Sequence, residues 1–379
     1  MREIYSTSKL AHHPEVLEKL RTATHQPPVM VQFFPTNVCN HSCSFCSYGH
    51  WDPTDPNPAP KEWKNHQLFD ERTSLPREKM LETIADLDAM GCKAIEISGG
   101  GEPTTYKYFD ELLEAIAQTK MDLGLVSNGV LLSPARIITL KSIPFLWARI
   151  SIDAGSPEDY KKIRHTPDSH WDKAWEAVSR LAAAKRANSE QAVGVGFVAD
   201  QANWRGLYDA CRYAKDAGAD NIRLSAAFTP QGLGRFGEEV FAELPAQINA
   251  AIRDFQDDSF QINELIRERW ANVELGQQEY PFCYWKDVGC VIGADSNVYA
   301  CCSWAYNDHG LMGSIRDQSF REAWEGDIRA WQLKHDPRRD CKIHCLYQRR
   351  NEGALRLMID REGAQAASTA VPPAHANFL

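Results

Sequence analysis

The run Val29-Met-Val-Gln-Phe-Phe-Pro-Thr-Asn-Val-Cys39-Asn-His-Ser-Cys43-Ser-Phe-Cys46 joins an apolar stretch to three closely spaced cysteines. A second motif, Gly99-Gly100-Gly101-Glu102-Pro103-Thr104, follows another apolar stretch that begins at Ala94. Both apolar stretches are typical of buried strands. Because glycine has no Cβ, a glycine run lets the backbone approach a ligand closely. The two motifs therefore predict a ligand site that is built where strands end.

The three cysteines favour an iron–sulfur cluster over a zinc ion. Three thiolates on one loop can bind three irons of a cubane cluster and leave the fourth iron without a protein ligand. A zinc site would need two separated Cys/His pairs that provide four tetrahedral ligands. His41 and His50 lie near the loop, but the spacing of the cysteines suits a compact cluster better. The vacant iron can then bind a substrate or a cofactor.

Length and composition exclude several classes of protein. A chain of 379 residues is long enough for a sizeable core and more than one domain. The net charge of -9 argues against a nucleic-acid partner. Residues 1–21 lack the apolar region of a signal peptide, and no later stretch reaches a membrane-spanning length, so we expect a cytoplasmic protein with no membrane partner. In that compartment the eleven cysteines are expected to be metal ligands or buried thiols rather than disulfides.

The first two-thirds of the chain alternate between β-rich runs and amphipathic helical stretches. One such helix is predicted from Pro76 to Gly91, where Pro76 suits the first turn and Gly91 the C-terminal cap. This alternation predicts an α/β fold with a parallel sheet and crossover helices. Six strands are predicted: Val29–Phe34, Ala94–Ser98, Asp122–Ser127, Trp147–Ile152, Ala192–Ala199 and Asn221–Ala227.

The cysteine and glycine motifs together resemble the radical S-adenosylmethionine (SAM) superfamily, in which an aromatic residue, here Phe45, precedes the last cysteine of CxxxCxxC. The resemblance covers roughly residues 29 to 230 and implies a partial (β/α)6 barrel, similar to part of a TIM barrel. It also implies that SAM chelates the open iron of a [4Fe-4S] cluster and is cleaved to a 5′-deoxyadenosyl radical. The implied cluster ligands are Cys39, Cys43 and Cys46, and the implied binding segment for the SAM ammonium is Gly99, Gly100, Gly101, Glu102 and Pro103.

Polar residues follow the third and fourth predicted strands, where a barrel of this kind carries its functional groups. By the same resemblance, Ser127, with Asn128 beside it, and Ser151 would contact the ribose or carboxylate of SAM, and Arg164 its carboxylate. Asp153 would contact SAM or the substrate. The alternative is that these side chains only cap backbone groups in loops.

A second cysteine set begins at Cys283, and a hairpin strand is predicted over Val298–Cys301. Four thiolates from two separated segments can form a structural zinc site or a second iron–sulfur cluster. This region resembles the twitch domain, a shortened SPASM domain, although Ser296 replaces the glycine of the family and three residues rather than two separate the last cysteines. The resemblance implies one auxiliary [4Fe-4S] cluster, with Cys290 as the alternative first ligand. The favoured ligands are Cys283, Cys301, Cys341 and Cys345.

The predicted organisation has five parts. They are an N-terminal extension (1–28), the partial barrel (29–235), a helical linker (236–275), a small cysteine-rich α+β auxiliary-cluster domain (276–350) and a C-terminal tail (351–379). The linker is predicted to hold two helices, Glu238–Asp257 and Phe260–Val273. Phe378 either docks on the barrel or lies in a disordered tail. Residues 50–75 form either a lid over the substrate or a surface loop, with four candidate covering residues: Trp51, Asp52, Trp63 and His66.

The sequence favours oxidation of a small polar metabolite, such as a sugar or an aminocyclitol, with the auxiliary cluster as electron acceptor and a flavodoxin- or ferredoxin-type reductant. An epimerase is the first alternative, with Cys290 or Cys302 as the thiol that returns hydrogen. A peptide-modifying maturase is the second, and it ranks lower because only 28 residues precede the first predicted strand. A non-enzymatic electron carrier is the least favoured, since it needs neither an open iron nor an ammonium-binding segment.

Overall fold

One sheet forms the centre of the molecule. The computed structural model describes residue 4 and residues 6–48, 66–142, 145–186, 190–227, 236–275, 280–341 and 345–379. In this part of the chain, ten strands pair in the order β10-β9-β8-β1-β2-β3-β4-β5-β6-β7. The strands are β1 (Met30–Phe33), β2 (Ala94–Ile97), β3 (Asp122–Ser127), β4 (Phe145–Ser151), β5 (Ala192–Ala199), β6 (Asn221–Ala226), β7 (Gln261–Glu264), β8 (Gly289–Ile292), β9 (Asn297–Tyr299) and β10 (Leu311–Ser314).

Helices follow most of the strands, as expected for crossover connections. Those of the first two-thirds are α1 (Pro14–Arg21), α2 (Arg77–Met90), α3 (Phe109–Ala117), α4 (Pro134–Ser142), α5 (Pro157–Arg164), α6 (Ser169–Ala184), α7 (Leu207–Asp216) and α8 (Glu238–Phe255). The later ones are α9 (Ile266–Leu275), α10 (Trp285–Val288), α11 (Phe320–Ala323), α12 (Arg329–Lys334), α13 (Pro337–Asp340), α14 (Gln348–Ile359) and α15 (Arg361–Thr369). A π-helical turn, Trp324–Ile328, joins α11 to α12.

The predicted α/β architecture is confirmed. Strands β1 to β6 pair in parallel and in chain order, and each lies within two residues of a predicted strand. Helix α2 ends at Met90, and Gly91 follows in the left-handed conformation at φ +82°, a backbone geometry that costs glycine nothing. The parallel sheet with crossover helices therefore follows from hydrophobic periodicity and helix-end signals, whereas the partial barrel was implied by the family resemblance.

The prediction of a purely helical linker is wrong. Helix α8 is present, but the second predicted helix, Phe260–Val273, begins with strand β7, which pairs in parallel with β6. Buried Phe260 and Ile262 alternate with the more exposed Gln261 and Asn263, a period of two that fits an edge strand. Four residues are too few to separate this pattern from the first turn of the following helix. The barrel sheet thus has seven strands in parallel order.

The C-terminal cysteine-rich region extends the same sheet. Strand β8 pairs in parallel with the other side of β1, and β9 returns antiparallel to β8, with β10 beside it. The predicted hairpin strand is therefore present as β9. Barrel and auxiliary domain share one hydrogen-bonded sheet, because β1 lies between them.

The two faces of the barrel strands differ in polarity. Outward residues such as Val31 and Ile95 are fully buried against the helices. Inward residues include Gln32, Glu96 and Arg149, which line a cavity. Successive side chains of a strand point to opposite faces of the sheet. The sequences of these strands are therefore mostly apolar, with isolated polar residues at the inward positions. The interior of the barrel is therefore a polar site rather than a packed core.

The last residues of the chain dock on the end of the barrel at which the parallel strands begin. Phe378 is buried, and its ring contacts Trp147 edge-on with the ring centroids 5.4 Å apart. Lys9 Nζ donates to the carbonyl of Phe378 at 2.8 Å, and Asn377 Nδ2 donates to Asp122 at 2.6 Å. The docked form of the tail is thus the one observed, and part of the predicted tail is helix α15. Among the described residues, no helix is long and apolar enough to cross a membrane.

Phe378→Ala should lower the free energy of unfolding by about 3 kcal/mol, because it removes a buried ring and leaves a cavity beside Trp147. Val371→Ala is the control: Val371 is 78% exposed, and its truncation should change stability by less than about 0.5 kcal/mol. Urea denaturation followed by circular dichroism measures both. Equal midpoints for the two variants would contradict the docking of the tail.

Candidate active site

The cysteine loop and the glycine segment are held against each other by their backbones. Gly101 N donates to Thr36 O at 3.2 Å, and Glu102 N donates to Val38 O at 2.9 Å. A Cβ on Gly101 would overlap the carbonyl oxygen of Val38. Glycine is therefore required here because two chain segments touch, in addition to any role in approaching a ligand.

The carboxylate of Glu102 joins the end of β2 to the end of β3. It is 3% exposed, and Oε1 accepts from the hydroxyls of Thr104 and Ser127, each at 2.6 Å. Oε2 accepts from Asn128 N at 2.7 Å, and Asn128 Nδ2 in turn donates to Asn40 Oδ1 in the cysteine loop. Glu102 thus fixes two predicted SAM contacts, Ser127 and Asn128, in place.

The three loop cysteines are partly buried beside a cation. Arg164 Nη1 donates toward Cys43 Sγ at 3.6 Å, and His41 N donates to Cys39 Sγ at 3.4 Å. Burial raises the pKa of Cys43 to about 11, although Arg164 opposes the shift. Burial, with Arg164 nearby, lowers the pKa of His41 to about 2, so that its imidazole is neutral. Thiolates at this site therefore need a further positive partner, which the irons of a cluster supply.

The carboxylate of Asp153 bonds to protein groups in addition to lining the cavity. One carboxylate oxygen pairs with Arg164 Nη2, and the other accepts from Val198 N at 2.7 Å. Asp153 also has a φ of +59°, a conformation that is uncommon outside glycine. Asp153 therefore holds Arg164 in place, and because it also lines the cavity, its contact with SAM or substrate stays a prediction.

The residues predicted for the first cluster and for SAM line one cavity of about 480 Å³. Ser151 lies at its wall, at the end of β4. The lining includes all of the predicted residues of the first cluster and of SAM: Cys39, Cys43, Cys46, Gly99, Gly100, Gly101, Glu102, Pro103, Ser127, Asn128, Ser151, Asp153 and Arg164.

Groups at this cavity and beside it fit a thiolate-bound cluster and the carboxylate of SAM. Within the described ranges, Arg164 Nε and Asn40 Nδ2 are buried donors without a hydrogen-bond partner. Both belong to residues in contact with the cysteine loop or its neighbours. Three thiols, one guanidinium and unsatisfied donors are the groups that a cluster and the carboxylate of SAM require.

The four favoured auxiliary cysteines lie in one region behind the cavity. Burial raises the pKa of Cys301, and the nearby thiols of Cys283, Cys341 and Cys345 raise it further. Tyr347 N donates to Cys345 Sγ at 3.3 Å, a bond that favours a thiolate. In the part of the chain described, no three His, Cys, Asp or Glu side chains converge on a single ion. A cluster of several irons holds its thiolates farther apart than one tetrahedral zinc does, so the wider spacing is compatible with a cluster.

Comparison with protein-family models places both cysteine sets within known families. The radical SAM superfamily model matches residues 33–201, and the model described as an iron-sulfur cluster-binding domain, SPASM, matches residues 283–346. The chain belongs to the radical SAM superfamily and carries a C-terminal SPASM domain. Its family chemistry uses a [4Fe-4S] cluster with SAM and auxiliary iron–sulfur binding by the SPASM domain.

Relatives of this radical SAM protein include one that spans most of its length. The mycofactocin maturase MftC of Mycobacterium tuberculosis (strain CDC 1551 / Oshkosh) is 25% identical over 326 residues, which cover 82% of this chain and 74% of that protein. Streptococcus suis SuiB bound to its precursor peptide SuiA superposes with a TM-score of 0.57 at 13% identity, covering 84% of this chain and 68% of SuiB. The structure of anSMEcpe with AdoMet and the Cp18Cys peptide gives 0.57 at 16% identity, covering 86% and 88%. At these identities the two structures support the fold alone.

Cys290 does not fit either of its predicted roles in this radical SAM protein. It lies on β8 in register with Val31, whose side chain faces the helix layer, and it is fully buried in the same core. Strand alternation therefore directs Cys290 away from the barrel cavity and from the auxiliary cysteines. Burial raises the pKa of Cys290, and the nearby thiol of Cys92, which is also in the core, raises it further. Its position in the core therefore favours neither the predicted role of hydrogen donor nor that of auxiliary ligand.

Cys302, by contrast, lies at the wall of the cavity. It lines the same cavity as the first cysteine loop, and its Sγ is 3.9 Å from Tyr347 Oη. Burial raises the pKa of Cys302, while Tyr347 opposes the shift, so the thiol is neutral at pH 7. A neutral thiol is the form that can donate a hydrogen atom.

Several polar side chains near the two cysteine regions were not predicted from sequence. Arg149, Arg223 and Arg269 line the cavity, and His335 Nε2 lies 3.6 Å from Cys341 in the auxiliary region. A signal was present for the first two, because each is the only charged residue in a buried strand and precedes a lining serine by two positions. No such signal was present for Arg269, because it lies in the segment that was predicted to be a helical linker. Of the predicted covering residues, His66 is described and is bonded to Ala305 O, whereas three lie outside the described residues: Trp51, Asp52 and Trp63.

Gly101→Ala should prevent stable cluster assembly, because the new Cβ would push the Thr36–Val38 backbone away and displace the adjoining cysteine loop. Gly326→Ala is the matched control, since a Cβ there meets no atom within 4 Å. Iron and sulfide content after anaerobic reconstitution measures the effect. Normal iron content in Gly101→Ala would contradict the backbone contact described above.

Proposed function

We propose that this radical SAM enzyme modifies a peptide. The supporting observation is the similarity to the maturase MftC, which runs through both the barrel and the SPASM domain and includes 74% of that protein. This similarity favours the peptide alternative over the small polar metabolite that the sequence analysis preferred.

In this proposal Cys39, Cys43 and Cys46 hold the [4Fe-4S] cluster that SAM completes. When bound, these groups supply the 5′-deoxyadenosyl radical that removes a hydrogen atom from the substrate. The residues of the chain orient them. Glu102 holds Ser127 and Asn128 at the cavity wall, and Arg164, fixed by Asp153, places its positive charge beside Cys43.

Oxidation is the outcome that the placement of the auxiliary site supports best. We assign Cys283, Cys301, Cys341 and Cys345 as ligands of one auxiliary cluster, which supplies an electron acceptor when bound. Cys302 and Leu346, the chain neighbours of two of these ligands, line the cavity. The proposed acceptor is therefore separated from a bound substrate by a single layer of residues. A flavodoxin- or ferredoxin-type protein is the proposed reductant.

Epimerisation is the second candidate, and the position of Cys302 favours it. A thiol that lines the cavity can return a hydrogen atom to a substrate radical from the face opposite the first cysteine loop. Tyr347 Oη and Gln32 connect this thiol to the barrel interior through a hydrogen-bond chain. Loss of two hydrogens from the product identifies oxidation, whereas solvent deuterium in a product of unchanged composition identifies epimerisation.

Cys39→Ala, Cys43→Ala and Cys46→Ala should each abolish reductive SAM cleavage, whereas Cys341→Ala should retain cleavage and lose product formation. The triple variant of the loop should still bind about four irons per chain at the auxiliary site. Cys211→Ala, a fully buried core thiol, is the control and should behave as the wild type. Release of 5′-deoxyadenosine, measured by chromatography, together with iron content, tests these expectations. Full SAM cleavage by any single loop variant would overturn the ligand assignment.

Peptides should stimulate 5′-deoxyadenosine release, because a bound substrate consumes the radical that otherwise forms slowly without it. The measurement compares a pool of short synthetic peptides with a pool of sugars and aminocyclitols, using reconstituted enzyme, SAM and dithionite. Stimulation by the sugar pool alone would reject the peptide proposal.

Mass spectrometry of the modified peptide in deuterated water then separates the two outcomes. Cys302→Ser should leave an oxidation intact but stop an epimerisation, because serine cannot donate a hydrogen atom in this way. A product that carries solvent deuterium and disappears in Cys302→Ser would establish the second candidate in place of the first.

A further inference from the structure

The last two cysteines of the auxiliary site each lie beside nitrogen-bearing groups. His335 Nε2 lies 3.6 Å from Cys341 Sγ, and Asn351 Nδ2 donates toward Cys345 Sγ at 3.9 Å. The backbone nitrogen of Tyr347 also donates to Cys345 Sγ, at 3.3 Å. Neither His335 nor Asn351 belongs to the proposed ligand set, so their contacts with sulfur need an explanation of their own.

The carboxamide of Asn351 is oriented so that its donor group faces sulfur. Asn351 is fully buried, and its Oδ1 accepts from Tyr284 N at 3.0 Å. Because the oxygen of the amide is occupied by this backbone donor, the NH2 group is the one that faces Cys345. Tyr284 directly follows Cys283 in the chain, so Asn351 connects the first auxiliary cysteine segment to the last one.

The ring of His335 is held in place where α12 ends. It stacks on Trp331 with the ring centroids 4.4 Å apart and the planes 16° from parallel. Asp340 Oδ2 lies 3.6 Å from Nδ1, which is beyond hydrogen-bond distance, and Arg339 already donates to both oxygens of that carboxylate. When Cys341 is a thiolate, the ring is therefore best placed with a proton on Nε2, from which it can donate to the sulfur.

Two further side chains act on the same pair of sulfurs. Burial raises the pKa of Cys341, and a hydrogen bond from Trp304 opposes that shift. Burial also raises the pKa of Cys345, and hydrogen bonds from Tyr280 and Asn351 oppose it. Donors that oppose such a shift stabilise negative charge on sulfur. Side-chain donors thus converge on both cysteines of the late pair.

We propose that His335 and Asn351 are positioning residues that set the reduction potential of the auxiliary cluster through the sulfurs of Cys341 and Cys345. Hydrogen bonds to the cysteine sulfurs are one determinant of the potential of an iron–sulfur cluster. They favour the reduced cluster, because it carries one more negative charge than the oxidised cluster. The inference rests on the proposed function, in which the auxiliary cluster accepts an electron.

A more positive potential suits the electron acceptor of the proposed oxidation. The substrate first loses one hydrogen atom to the 5′-deoxyadenosyl radical. The substrate radical then gives one electron to the oxidised auxiliary cluster and one proton to water, so that the product lacks two hydrogens. Donors that stabilise the reduced cluster make this electron transfer more favourable.

The test is a redox titration of the auxiliary cluster, followed by electron paramagnetic resonance. It uses the full chain with alanine at the three positions of the first cysteine loop, reconstituted anaerobically, so that the signal comes from the auxiliary site. His335→Phe keeps an aromatic ring beside Trp331 and removes the nitrogen donor. Asn351→Asp keeps an acceptor for Tyr284 N and removes the NH2 group.

Each variant should shift the midpoint potential to a more negative value. A tenfold change in the equilibrium between reduced and oxidised cluster, or 59 mV for one electron, is the expected order of magnitude. His335→Gln, which restores an N–H group, should recover part of the shift. His309→Phe is the matched control and should leave the potential unchanged, because His309 is exposed in the same domain and its ring contacts Trp304 edge-on.

Iron content and melting temperature show which variants retain the cluster and the fold. If Asn351→Asp does not fold, Tyr280→Phe tests the same sulfur by removing a single hydroxyl. Pulsed electron paramagnetic resonance of protein labelled with 15N-histidine distinguishes a hydrogen-bonded ring from a ligand. The coupling of a directly bound nitrogen, lost in His335→Phe, would overturn the donor role of His335.

The remaining outcomes separate this inference from the proposed function. Unchanged potentials in the variants of both residues overturn the inference and leave the auxiliary cluster in place. Absence of iron from the loop-alanine protein overturns the inference together with the proposed electron acceptor. Shifted potentials in an enzyme that peptides do not stimulate retain the inference and reject the peptide as substrate.

Discussion

The site depends above all on the buried carboxylate of Glu102. It accepts hydrogen bonds from Thr104, Ser127 and Asn128, and its own backbone nitrogen donates to Val38 next to the cysteine loop. The side chain of Glu102 therefore joins the ends of β2 and β3, and its backbone nitrogen joins them to the segment that follows β1. Because an unsatisfied buried donor costs about 1–3 kcal/mol, replacing this carboxylate would release several groups at once. The hydrogen bonds of Glu102 therefore help to hold the cysteine loop in place.

Much of the fold and of the first site could be predicted from sequence, for identifiable reasons. Six strands had clear apolar runs, and the loop cysteines and the glycine motif lie close in the chain to the strands that position them. Strand β7 was missed because Gln261–Glu264 is short and runs directly into a helix. Cys290 and Cys302 could not be separated from sequence, because the register of β8 with β1 places Cys290 in the core, whereas Cys302 lies at the cavity after β9.

Electrostatics divide the cavity into two regions. Near the cysteine loop, the charge of Arg164 is balanced by Asp153. His41 is neutral, so it adds no positive charge beside the thiols. Deeper in the barrel, Arg149, Arg223 and Arg269 share the cavity with three carboxylates, Glu96, Glu264 and Glu268. Burial lowers the pKa of Arg269, whereas the nearby Glu268 opposes that shift.

The parallel pairing of β8 with β1 has a mechanical consequence. Four consecutive register partners, together with flanking bonds from Val29 N to Val288 O and from Phe34 N to Ile292 O, join the SPASM domain to the barrel as one sheet. Swinging that domain away would break this whole ladder. The distance between the two cysteine regions is therefore set by the sheet and not by a hinge. Electron transfer between them would run at a fixed separation, and substrate access would have to be controlled by loops rather than by domain opening.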